Sequence, residues 1–195
     1  MIPRTHSDAD TAGSGPCRGV REVPPPAESG VASWFGAADL ADAFAVPIDA
    51  TDVAKGIDNL ARSVLGDPAP WIRLLLGLRD ALVAGFRVKT SQEVRRAAIA
   101  DNAERIDFFR IRARSDRELI LGEDDRHLDF RLSLLLRARP DSSGDELVAT
   151  TVVRCHNALG RVYLALIARF HRLVVMSNLS RASNKGWRIE HRNLG

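Results

Sequence analysis

From residue 106 onward, apolar and polar positions alternate with a period of two, and from residue 159 the period lengthens to three and four. The alternation predicts four strands, over residues 106–114, 117–121, 126–137 and 146–156. Polar turns separate them at Ser115-Asp116, from Gly122 to Asp125, and from Pro140 to Asp145. Connections this short force neighbours to run antiparallel, so the strands are expected to form a meander. The longer period predicts a helix from Leu159 to about Arg181. Its apolar stripe is Leu159, Val162, Tyr163, Leu166, Ile167, Phe170, Leu173 and Val174. That stripe is expected to bury itself against the apolar face of the sheet. Asn157 stands where an N-cap belongs, its side-chain oxygen available to a free amide.

Upstream the pattern is weaker. Residues 39–46 alternate and stop at Pro47, as an edge strand does, which brings the predicted strands to five. A short helix is predicted over 52–65, with Asp52 as N-cap and Gly66 at its end. Asp67-Pro68 then opens a helix over 70–84, in which Trp71, Leu74, Leu75, Leu78 and Leu82 recur at helical spacing. A further short helix is read over 91–100. The fold class is therefore α+β, an antiparallel meander sheet packed against a long C-terminal helix. Residues 32–182 form the single domain.

Composition marks off both ends. Residues 1–31 hold Pro3, Pro16 and the run Pro24-Pro25-Pro26, and are read as a disordered leader with no apolar signal-peptide core. Residues 183–195 are polar and basic, and are read as a flexible tail. Its Arg188 and Arg192, with Arg181, Lys185 and Trp187, could touch nucleic acid or acidic lipid, but such a group is common in a solvated terminus. The 28 basic and 25 acidic residues leave a net charge of +3, too mild to argue for a nucleic-acid partner. Cys17 and Cys155 are far apart and suggest no disulfide, so a reducing, cytoplasmic setting is expected. The apolar run from Ala158 to Met176 is broken by Arg161, Arg169, His171 and Arg172, and no transmembrane segment is read there. Oligomeric state has no signature.

Three stretches carry a resemblance: PWIRLLLGLRDALVAGF (70–86), GEDDRHLDFRLSLLL (122–136) and TTVVRCHNALGRVYLALIARFHRLVV (150–175). Together they look like the bacterial family known as domain of unknown function 2867, over about residues 38–182. The resemblance implies a START-like, helix-grip fold, in which a curved antiparallel sheet wraps a long C-terminal helix and often leaves a ligand cavity. It transfers no catalytic residue.

The candidate chemistry lies on the strand over 126–137. Leu128, Phe130, Leu132, Leu134 and Leu136 share one face, and His127, Asp129, Arg131 and Ser133 the other. A tight loop around Asp141-Ser142 makes paired residue numbers sum to 283, so Asp129 would face Arg154, His127 would face His156, and Arg131 would face Val152. Asp129 and Arg154 would then lie within reach of a charge-assisted hydrogen bond. This cluster reads either as a polar or catalytic site or as the solvated face of a half-buried sheet. Two histidines and one aspartate on facing strands are sparse metal-ligand geometry, and neither metal nor cofactor is expected. No phosphate loop, nucleophile elbow or zinc motif is present, which weighs against the common enzyme classes. His171 and Arg172 read as the flank of the final helix.

Three functions compete. The first is a binding module for a small apolar or amphipathic molecule, with Phe130, Leu132, Val153, Tyr163 and Phe170 lining a pocket between sheet and helix. The second is an enzyme using His127, Asp129, Arg154 and His156. The third is a protein-interaction domain.

Overall fold

The computed structural model describes residues 19–66, 104–106 and 109–188. The helices expected over 70–84 and 91–100 lie outside the described residues. Among the described residues the elements are β1 (Arg21–Glu22), a 3-10 helix (Ala32–Ala37), β2 (Leu40–Ile48), α1 (Ala50–Val53), α2 (Ile57–Leu65), β3 (Arg105–Ile106), β4 (Phe109–Arg114), β5 (Glu118–Asp124), β6 (Leu128–Ala138), β7 (Asp145–Cys155) and α3 (Ala158–Asn184). Its strands make one antiparallel sheet in the order β1-β2-β7-β6-β5-β4-β3. With α3 across it, this is an α+β, helix-grip-like arrangement.

Seven strands stand where five were expected. One extra strand, β1, comes from the stretch read as a disordered leader. The other arises because the strand predicted over 106–114 is a hairpin, with Ile106 opposite Phe109. β2 is not the edge, since Glu22 and Arg21 pair with its Phe44 and Ala45. Val23 N–H donates to Ala43 O, so by alternation Pro47 also turns its backbone toward β1. It does so past the last β1 pair, where its missing N–H leaves no ladder bond unmade. β5 runs through Gly122 instead of turning there. A Cβ at Gly122 would lie 2.4 Å from Phe130 O and 2.8 Å from Arg131 Cδ, so this glycine serves close packing. The helix expected over 52–65 breaks at Gly56, whose φ of 82° no helix accommodates. Asp52 caps nothing and pairs with Lys55 at 2.6 Å.

One face of the sheet carries the core. Phe44, Leu119, Leu121, Leu134, Leu136 and Leu147 pack there with Leu60 and Val64 of α2 and Leu179 of α3. Trp187, read as part of the fraying tail, is buried in the same core, and Lys55 Nζ donates to Gly186 O at 2.6 Å. The tail is therefore seated at least to Trp187.

α3 is capped as expected, Asn157 accepting from Gly160 N–H at 3.0 Å. Its orientation is not as expected. The buried positions are Gly160, Leu164, Leu179, Ser180 and Ala182. Val162, Leu166, Phe170 and Leu173, the middle of the predicted stripe, are 67%, 51%, 47% and 53% exposed. At 100° per residue the packed face is turned roughly 130° from the predicted stripe. Gly160 shows why. A Cβ there would come 2.2 Å from His127 O, so α3 meets the sheet backbone through a residue without a side chain. Close approach along the small residues outweighs the larger apolar row. By length and composition alone α3 could cross a membrane. In this fold His171 Nε2 contacts Asp42 at 3.3 Å, and Arg172 pairs with Glu22 and lies over Phe44.

Candidate functional site

The register summing to 283 is observed: Asp129 faces Arg154 and Arg131 faces Val152. His127 and His156 adjoin just beyond the ladder, His156 N–H donating to His127 O at 2.9 Å. The expected bond between Asp129 and Arg154 does not form. Asp129 Oδ1 lies instead 3.0 Å from His156 Nε2 and accepts from Asp125 N–H at 3.2 Å. His127 Nδ1 lies 3.1 Å from Asn157 Nδ2. Arg154 donates to Ser33 O at 3.1 Å, and its guanidinium lies 4.2 Å from the centre of the Trp34 ring. Arg131 lies 4.3 Å from the same ring and pairs with Asp124 at 2.6 Å.

This face is thus covered in part by the chain itself. Residues 19–37 of the chain lie across it. Val23 packs with Ala43, Ala45 and Val148, and Val31 is buried. Ser29, also buried, donates to Glu118 at 2.7 Å and lies 3.1 Å from Ser133 Oγ, which donates to the same carboxylate, while Gly30 N–H donates to both Glu118 oxygens. Glu146, fully buried, pairs with Arg21 and with Arg137 at 2.9 Å, and Arg137 reaches Glu28 at 3.2 Å. A buried carboxylate persists when its partners satisfy it, and here the leader supplies one of them. The reading of residues 1–31 as disordered therefore fails over 19–31. A sequence signal that was missed is Trp34, a large aromatic eight positions after Pro26.

The charges follow these pairs. Burial pushes the Asp124 carboxyl up, but the hydrogen bonds and charges of Arg131 and Arg112 outweigh it and hold the group below its ordinary value. A backbone hydrogen bond lowers Glu28, with Arg137 adding to the effect. Burial, with Asp39 nearby, pushes the Cys155 thiol up, away from the reactive thiolate.

A second region lies on the opposite, helix-facing side. Phe109 and Phe130 meet edge to face, ring centres 5.8 Å apart. Both are half-buried, as are Ile111 and Leu132 beside them, while Val153 opposite Phe130 is buried. α3 packs on β2, β7 and α2, leaving this corner of the sheet to one side. Arg172 reaches toward β1 from one flank of α3. Tyr163, nine residues earlier and so half a turn round, flanks the other side together with Ile167, and both are half-buried. Of the residues expected to line a pocket, Phe130, Leu132 and Val153 share this sheet face and Tyr163 stands on the adjoining flank. Phe170 belongs to the exposed row. Glu123, in register with Phe130, completes the corner, and Arg105 Nη1 approaches its carboxylate at 3.5 Å.

A family model described as Protein of unknown function (DUF2867) matches residues 34–178. The chain belongs to that family. No curated protein and no solved structure matches the chain. The DUF2867 match spans β2 through most of α3, so it includes both sides of the sheet described above.

Proposed function

We propose that this DUF2867 domain binds a small apolar or amphipathic molecule at the corner formed by Phe109, Ile111, Phe130 and Leu132 with the Tyr163 flank of α3. The observation that carries this is the edge-to-face pair of half-buried rings, Phe109 and Phe130, beside the half-buried Ile111 and Leu132. Aromatic and aliphatic side chains make up most of the lining of small-molecule sites. Titration with the neutral dye Nile red tests it. A blue-shifted emission saturating at one dye per chain is expected, and Phe130→Asp should abolish it while circular dichroism stays unchanged. Absence of any dye binding to the wild-type protein overturns the reading.

A catalytic reading draws on the His156–Asp129 pair, where His156 is 44% exposed. Arg154 and His127 are already held by Trp34 and Asn157, which leaves that dyad without the rest of the cluster, and the reading stands second.

A further inference from the structure

The row that the rotation of α3 leaves outside is contiguous. At 100° per residue, Val162, Leu173, Leu166 and Phe170 fall within about 80° of arc, a ridge roughly 16 Å long. Leu164, which is buried, and His171, in contact with Asp42 of β2, stand about 160–180° from Val162, so the ridge points away from the sheet. Single apolar residues on a surface need no explanation, but a contiguous exposed row marks a face that something covers. The charges beside it are of one sign. α3 contains Arg161, Arg169, Arg172 and Arg181 and no aspartate or glutamate. Arg169, Arg172 and Arg161 occupy about the next 100° of arc on one flank of the ridge, and all three are exposed. Arg172 pairs with Glu22, and Arg161 approaches Asp39 at 3.5 Å, both at the surface, where such pairs hold little energy. Arg169 has no acidic partner among the described residues.

We propose that the outer face of α3 docks on the surface of an anionic lipid bilayer. Val162, Leu166, Phe170 and Leu173 enter the acyl boundary, and Arg161, Arg169 and Arg172 meet the headgroups. An apolar stripe flanked by basic side chains is the pattern of a helix that lies in the plane of a membrane interface. Each arginine near a negatively charged leaflet adds an attraction that a neutral lipid does not supply. A second copy of the chain would instead bring the same arginines to the contact, and no carboxylate from its own α3. A bilayer also needs no groove shaped to the ridge. This face is separate from the aromatic corner, so lipid docking and small-molecule binding stand or fall independently.

Co-sedimentation of the full chain with vesicles of phosphatidylcholine alone, and of phosphatidylcholine mixed equally with phosphatidylserine, tests this. Binding to the mixed vesicles is expected to be about tenfold or more tighter than to the neutral ones, and to weaken with added salt. Arg169→Gln should lower that affinity about fivefold. Leu166→Ala combined with Phe170→Ala should lower it about tenfold or more. The urea midpoint of that double variant should stay close to wild type, because both side chains are exposed. No binding to the mixed vesicles, or equal binding to both kinds, overturns the proposal. A double variant that folds and binds as tightly as wild type also overturns it, since charge elsewhere on the chain would then hold the lipid. A wild-type dimer in size exclusion that the double variant turns into a monomer assigns the ridge to a second copy instead. If the double variant folds poorly, Arg169→Gln still decides, and an affinity equal to wild type sinks the idea.

Discussion

Asp129 and Arg154 stand opposite each other in the β6–β7 ladder and do not bond: the carboxylate takes His156 at 3.0 Å, and the guanidinium lies over Trp34 at 4.2 Å. Each charge thus has a partner of its own, and the pairing across the ladder carries little energy. Asp129→Asn should accordingly cost about 1 kcal/mol or less in a urea titration, the range for a partly exposed pair. A loss of about 3 kcal/mol or more would mean that Arg154 depends on Asp129 after all.

Trp34 holds both arginines, so the larger effect belongs there. Trp34→Ala removes a half-buried ring and two cation–π contacts, and should cost about 2–4 kcal/mol. Removing residues 1–31 takes away β1, Val23, Ser29 and Val31 together, and the thermal midpoint should fall by roughly 10 °C. A midpoint unchanged within a few degrees would show that the seat on the sheet face contributes nothing.

The rotation of α3 separates two substitutions that apolar patterning would rank alike. Leu179 is fully buried, and Leu179→Ala should cost about 2–5 kcal/mol. Phe170 is 47% exposed, and Phe170→Ala should cost under about 1 kcal/mol. Reversal of that order in chemical denaturation would restore the predicted stripe as the packing face.

Asp124 makes acid stability measurable. Its carboxyl is held below the ordinary value by Arg131 and Arg112, against the upward push of burial. A group depressed on folding contributes fully above its unfolded value, and that contribution is lost as pH falls toward the folded one. Stability of the wild-type protein should therefore decline as pH drops below about 4. Asp124→Asn should flatten this part of the profile, and an identical slope in the variant would show that the two arginines do not stabilise the charged form.

The strands were legible because alternation and turn length act locally. Asp129, Arg131 and Ser133 alternate with Phe130, Leu132 and Leu134, and the short loop after Ala138 fixes their partners on β7. The same local reasoning misjudged residues 19–31. Pro24, Pro25 and Pro26 look like disorder, and the anchors Val23, Ser29 and Val31 are each weak signals that gain meaning only from partners on β5, β6 and β7. It also misjudged α3, because periodicity weighs the size of Leu166 and Phe170 and cannot see that Gly160 lets the helix touch the His127 backbone. The aromatic corner was half legible: Phe130, Leu132 and Tyr163 were named, but Phe109 and the Arg105–Glu123 pair depend on a hairpin that the pattern showed as one strand.

The seat of residues 19–37 also sets an order of events at the ribosome. Ser29 waits for Glu118, 89 residues later, and Arg21 for Glu146, 125 residues later. At synthesis rates of about 5–20 residues per second, the first of these segments to emerge stays unplaced for on the order of ten seconds. Until β7 is made, the sheet face that will carry Arg131, Ser133 and Glu146 has no cover, and those long-range closures are the slow kind. Residues 19–37 are thus made well before the strands that seat them and are among the last to be positioned.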